Sequence, residues 1–142
     1  MKSFAEFVAS GDVRRGMRDV ALARALVALS EKRMQRVPDL VLDESSAFLT
    51  YELVYDALRE LIDALLALEG YKSYSHVASI SYLQKFSELS PSAIAKIDNA
   101  REKRNLTKYY AKPVTLAETK DLLALHKMLK PPLLEIFRRL KG

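Results

Sequence analysis

An all-α, up-and-down helical bundle is the fold this sequence predicts, and three observations predict it. The 142 residues include only four glycines, while 49% are hydrophobic, with leucine and alanine prominent, and 29% are charged. So few breakers among good helix formers favour helices over a sheet of short strands. Apolar residues recur at helical intervals, most clearly Phe48, Tyr51, Tyr55, Leu58, Ile62, Leu65 and Leu66. Start and stop signals cut the chain into segments of helical length, with no repeat and no low-complexity linker. The length suits one domain, residues 1–142, with its core over about 12–125 and a helical tail over 126–142.

The elements follow in order. A short helix is predicted over Ser3–Ala9, ending at Gly11. Asp12 is placed to cap a long second helix, Val13–Arg36, stopped near Pro38. Asp43 is placed to cap a third, Glu44–Glu69, closed by Gly70; its apolar stripe is the strongest amphipathic signal and needs a bundle core to cover it. A shorter fourth helix spans Ser75–Phe86. Ser90-Pro91 gives a cap and a first-turn proline for a fifth, which runs to Tyr110 and stops before Pro113. "TLAE", Thr115–Glu118, reads as a capping box opening a sixth helix; Pro131-Pro132 is expected to break it, leaving Leu133–Leu140 as a last piece.

Composition excludes several functions. There is no cysteine, hence no disulfide, thiolate metal site or cysteine nucleophile, which suits a reducing cytoplasm. The N-terminal "MKSFAEFVASGDVRR" has too short an apolar run for a signal peptide. The richest apolar run, Ala64–Leu68, is far below the ~20 residues that cross a bilayer, so no membrane partner is expected. No glycine-rich phosphate loop, GxSxG elbow or HExxH occurs. The two histidines, His76 and His126, are far apart, so neither a metal nor another cofactor is implied. His76 opens a helix, and a structural role is the expectation for it; His126 is expected to be partly buried or on the surface.

Net charge is +5, and its distribution is more telling than its size. Arg14–Arg36 carries seven basic against two acidic residues, Asp43–Glu69 seven acidic against one basic, and Lys96–Lys112 six basic against two acidic. Two readings stay open: neighbouring helices pairing at the surface, where each pair contributes roughly 0–1 kcal/mol, or a basic groove for a phosphate backbone.

The second basic segment holds "NAREKRNLTKYY", Asn99–Tyr110. On a helix, Arg101, Asn105 and Tyr109 form one drifting ridge, and Arg104 and Lys108 a neighbouring one. Ile94 and Ile97 lie on the same side, so a face that begins apolar turns to arginine and asparagine. An arginine half-buried there needs an anion. The partner is either an internal carboxylate, Asp56 or Glu60, or a ligand phosphate, which a guanidinium grips through two hydrogen bonds. Tyr71, Tyr74, Tyr82, Tyr109 and Tyr110 suggest base stacking, although core and interface packing is the better general expectation.

Three stretches together resemble the HEPN family, specifically its small stand-alone archaeal and bacterial branch: "YDALRELIDALLALEGYKSYSHVASISYL", "REKRNLTKYY" and "KPVTLAETKDLL". The resemblance spans about Asp12–Leu125. It implies a helical bundle, usually a homodimer. It also implies, for many members, metal-independent ribonuclease activity in a toxin–antitoxin pair whose partner is a small nucleotidyltransferase. The family motif is an arginine followed by a polar residue and, four to six residues on, a histidine. Arg104 and Asn105 match its first part, and Tyr109 stands at the histidine position. Histidine, with a pKa near 6.5, exchanges protons at neutral pH. Tyrosine, near 10, stays protonated and donates a hydrogen bond instead.

The resemblance therefore implies a protein handling RNA or nucleotide phosphate. Arg104 would stabilise phosphate charge, Asn105 position it and Tyr109 donate to it. Arg101, Lys108 and Tyr110 would contact RNA, and Asp56 would orient Arg104. The alternative is the same fold as a non-catalytic dimerising or partner-binding scaffold.

Overall fold

The structure, a computed structural model, describes residues 1–142 and is an all-α bundle of six helices with one two-stranded ribbon. The helices are α1 (Phe4–Ala9), α2 (Val20–Arg36), α3 (Ala47–Leu68), α4 (His76–Tyr82), α5 (Pro91–Tyr110) and α6 (Leu116–Lys141). The strands are β1 (Val13–Arg15) and β2 (Tyr71–Ser73), and single 3₁₀ turns follow α2 and α4. No helix is long and apolar enough to cross a membrane.

α3 is the central element. Fifteen of its 22 residues are buried, too many for one stripe, so neighbours cover it on several sides. Ser30 donates to the Ala57 carbonyl at 2.6 Å and the Asp19 amide to that of Ala67 at 2.9 Å, which sets α2 antiparallel to α3. Thr119 meets the Ala47 carbonyl at 3.2 Å at the other end, and Arg18 meets that of Leu140 at 2.8 Å, so α6 runs parallel to α3. α5 lies across α3 and returns through a turn into α6, where Lys103 reaches Glu118 at 2.9 Å. A single apolar cluster of 28 buried residues joins these helices.

Two of the four predicted N-caps, Ser90 and Thr115, are in place, and Ser75 adds one that was not predicted. Ser75 accepts from the Ala78 amide, Ser90 from that of Ala93 at 3.0 Å, and Thr115 and Glu118 form the full capping box. Phe48, expected in the stripe, is instead 39% exposed.

Three expectations are corrected. The second helix starts at Val20, capped by Asp19, which accepts from the Leu22 amide at 2.9 Å; Asp12 receives the Ser10 hydroxyl instead. The chain before it is taken by β1, paired antiparallel to β2 with Val13 opposite Ser73. Gly16 then donates to the Gly70 carbonyl at 2.6 Å. A Cβ on Gly70, whose φ is +80°, would collide with the Gly16 carbonyl oxygen, so this closure requires glycine. The third helix starts at Ala47, because Asp43 gathers the Ser45 and Ser46 amides and hydroxyls into a preceding turn.

Third, α6 runs unbroken through Pro131-Pro132, and the supposed tail belongs to the core: Leu129, Leu133, Ile136 and Phe137 are all buried in the main cluster. Two prolines cost about 3 kcal/mol each inside a helix. Burying each large apolar side chain beyond them contributes about 1.5–3 kcal/mol. The carbonyls the prolines leave free belong to Lys127 and Met128, both exposed, where solvent has access to them.

Two substitutions test this frame. Gly70→Ala is expected to destabilise by about 2 kcal/mol or more, from left-handed backbone strain and the collision with Gly16. Ala111, which ends α5 at φ +53°, is a non-glycine residue in a left-handed cap. Ala111→Gly is expected to stabilise by about 0.5–1 kcal/mol. Denaturant unfolding measures both.

Candidate functional site

α3 carries four charged residues, Asp56, Arg59, Glu60 and Asp63, at the i, i+3, i+4, i+7 spacing of one helix face. α5 crosses this face with Arg101 and Arg104, α4 brings His76 and Ser79, and α2 brings Arg33. The polar cluster is where an apolar bundle admits charge, so each partnership can be followed.

Glu60 is taken by Arg33, whose Nε lies 2.9 and 3.0 Å from its two oxygens. Of the two internal carboxylates the sequence offers to Arg104, this one is therefore occupied. Arg59 lies 3.6 Å from Asp63. Burial pushes the Asp63 carboxyl up to about 6; Glu60 adds to the rise, while Arg59 opposes it. Arg101 is well partnered, with Nε 2.8 Å from Asp98.

Arg104 is not. Its side chain is only 13% exposed, and its guanidinium lies over the Tyr55 ring at 5.6 Å. Its nearest carboxylate oxygen, on Asp56, is 3.6 Å from Nη2, beyond hydrogen-bonding reach. Its Nε is fully buried with no hydrogen-bond partner, one of three such side-chain atoms in the chain. The other two, Thr50 Oγ1 and His126 Nε2, belong to neutral groups, for which the shortfall costs less. A buried cation held by one ring face and one carboxylate at 3.6 Å is left with an unmet hydrogen-bond donor.

His76 shares this environment. It is half-buried and lines a narrow crevice with Tyr55, Arg59, Ser79 and Ile97. Burial first, then the charges of Arg59, Arg104, Arg101 and Lys108, pull its pKa down to about 4. Tyr55 is pushed up to about 12, by burial against the opposing pull of the arginines. The sequence singles out His76 and Arg104 separately, and Arg59 not at all. The convergence of the three comes from three helices, and only the α3 spacing, which also includes Asp63, hints at it.

The other expected residues divide. Asp56 does lie beside Arg104, and Asn105 is half-buried next to it. Tyr109 and Tyr110 are 65% and 72% exposed at the end of α5. Tyr109 is turned about 140° from Arg104 around the helix. It carries Lys108 over its ring at 5.5 Å, so within one chain it does not share Arg104's cradle. On the far side of α5, a groove of about 520 Å³ is lined by Lys96 and Lys103 but also by Glu118 and Asp121. Those charges balance, giving that groove no preference for an anion. His126 is buried on α6, its pKa lowered by burial and by Lys130, away from this cluster.

The titrations oppose each other. His76 is held neutral, so stability is full above about pH 6.5 and is lost as pH falls toward 4, where the unfolded chain takes a proton the folded chain refuses. Asp63 holds its proton more tightly when folded, so its contribution falls as pH rises from about 3.8 to about 6. His76→Gln is therefore expected to lose less stability than the wild type between pH 7 and pH 4 in urea unfolding. An equal loss would mean that the imidazole is not held neutral.

No family model, no curated protein and no solved structure matches the chain.

Proposed function

We propose that the chain is a HEPN-type protein that binds the phosphodiester of RNA, or a nucleotide phosphate, at Arg104. In this reading it acts as a metal-independent ribonuclease of a toxin–antitoxin pair, as a homodimer regulated by a small nucleotidyltransferase. One observation carries the reading: Arg104 is desolvated, its Nε has no partner, and its nearest carboxylate stands 3.6 Å away. A phosphate oxygen supplies what Asp56 does not, a charge-assisted hydrogen bond to the accessible edge of the guanidinium. Asp56 keeps the guanidinium in place, and Tyr55 fixes its plane. Arg59 and Lys108 extend the positive field, which raises the local concentration of a polyanion. In the homodimer, two such clusters would share one crevice. Tyr109 and Tyr110 serve as outer contacts for RNA bases.

The second reading, a non-catalytic scaffold, draws on a different observation. Leu106, Tyr109 and Tyr110 are 42%, 65% and 72% exposed together at the end of α5, an apolar patch suited to a protein partner.

Incubation of the purified protein with RNA in EDTA separates the readings. The ribonuclease reading predicts cleavage, abolished by Arg104→Ala. It also predicts salt-dependent RNA binding, weakened about tenfold by that substitution and less by Arg101→Ala, since Arg101 is already paired with Asp98. Tyr109→Phe is expected to change cleavage less than twofold. No cleavage and no salt-dependent binding would overturn the proposal in favour of the scaffold.

A further inference from the structure

The β1–β2 ribbon, α2 and the last two turns of α3 enclose an open trough of about 560 Å³. α3 supplies its floor with Asp63, Leu66 and Gly70, which recur on one helix face over about 10 Å. Leu22 and Leu26 of α2 form one wall, and Leu22 is exposed. Arg14, Lys72 and Tyr74 form the other. We propose that this trough binds a flat organic acid whose ring carries an N–H: its anionic group lies between Arg14 and Lys72, its ring rests against Leu22, Leu26 and Leu66, and its N–H donates to Asp63. Arg104 lines no part of the trough, so this site stands apart from the phosphate site.

The ribbon register produces the cationic wall. Arg14 and Lys72 stand opposite each other in the ladder, which Tyr74 extends by donating from its amide to the Asp12 carbonyl at 2.8 Å. Side chains alternate along a strand, so Arg14, Lys72 and Tyr74 share one ribbon face, while Arg15 and Tyr71 share the other. Like charges directly opposite each other destabilise a ribbon. Here both cations gather over the Tyr74 ring, at 5.6 and 5.7 Å. None of the chain's ion pairs includes either of them. The two carboxylates that line the trough are engaged elsewhere. Asp19 caps α2, and Arg59, outside the trough, lies 3.6 Å from Asp63. An anion between Arg14 and Lys72 therefore offsets a repulsion that no protein group offsets.

The rest of the trough sets the shape and polarity of the ligand. A concave site of this size, lined by apolar side chains with a few polar groups, suits a small molecule. Leu22, Leu26 and Leu66 offer no side-chain hydrogen bond, so the body of the ligand is apolar. A flat body reaches the helix wall and the ribbon wall together. Asp63 is the one polar side chain on the floor. Arg59, at 3.6 Å, is beyond hydrogen-bonding reach of it, so the carboxylate is left to accept from a donor in the trough. Burial raises its pKa only to about 6, so it is ionised at neutral pH. It then attracts an N–H and repels a second anion, and the two ends of the ligand are told apart.

Amide chemical-shift titrations of the intact protein at neutral pH test the proposal. Indole-3-acetate and 3-indoxyl phosphate carry ring, N–H and anion. 1-Naphthaleneacetate lacks the N–H, indole lacks the anion, and inorganic phosphate lacks the ring. Both indole acids are expected to shift the Leu22, Leu66, Lys72 and Tyr74 amides and to leave the Arg104 amide unmoved. The tighter of the two identifies the anion as carboxylate or phosphate. Lys72→Glu places a carboxylate opposite Arg14, which keeps the ribbon paired. It should nevertheless weaken both indole acids about tenfold, the size of one charge-assisted hydrogen bond, as should Arg14→Gln. 1-Naphthaleneacetate should bind about fivefold more weakly than indole-3-acetate, and Asp63→Leu should abolish that difference. The comparison is made within each protein, so altered stability does not imitate it. Indole binding as tightly as the acids, an unchanged affinity in Lys72→Glu, or shifts confined to residues outside the trough would overturn the proposal. So would the absence of any shift with either acid at millimolar concentration.

Discussion

The enclosure of α3 is the constraint on which the rest of the structure depends. A helix buried on several sides has little room for charge, yet α3 carries Asp56, Arg59, Glu60 and Asp63 along one face. An exposed ion pair contributes roughly 0–1 kcal/mol and is easily lost. A charge left unpaired out of water costs several kcal/mol. The helices around α3 are therefore selected by what they bring to this face. α2 brings Arg33 to Glu60, and Arg59 turns along its own helix to within 3.6 Å of Asp63. Arg104 is the one cation in the cluster with a buried nitrogen left without a hydrogen-bond partner. In a surface arginine the same geometry would mean nothing. Here the Nε is shut off from solvent, and the guanidinium lies against Tyr55 of α3.

The position of Arg104 follows from the course of α5. Ser90 and Pro91 start the helix at the surface, and Ile94, Ile97 and Ala100 then bury one face of its first half in the bundle. The left-handed Ala111 cap ends it in solvent, after Leu106, Tyr109 and Tyr110 have emerged. Arg104 falls at the crossing between those two environments. It is deep enough to lose its hydration and shallow enough to be approached from outside. It sits on a rigid helix, so a ligand meets it with little ordering to pay for.

Much of the fold was legible because it is encoded locally. Ser90-Pro91 and the Thr115–Glu118 box each act within one helical turn, and each does in the structure what its sequence promises. The parts that were not legible depend on distant partners. Val13–Arg15 has only three residues in its strand, and its partner lies 56 or more positions away, so local propensity favoured a longer helix. Pro131-Pro132 reads as a stop until the burial of Leu133, Ile136 and Phe137 against α3 is known. The site divides in the same way. Asp56 and Arg104 could be paired from helical geometry. That Glu60 belongs to Arg33, and that His76 enters from α4, requires the packing of four helices.

The central claim is that the Arg104 guanidinium lacks an anion that the ligand brings. The most direct measurement is the Nε–Hε resonance of Arg104, observed by ¹⁵N nuclear magnetic resonance as short single-stranded RNA is added to the metal-free protein. The account predicts a resonance that moves downfield and exchanges more slowly with water as RNA binds, with the Arg33 Nε–Hε signal, already bonded to Glu60, unchanged. An Arg104 signal indifferent to saturating RNA would contradict it.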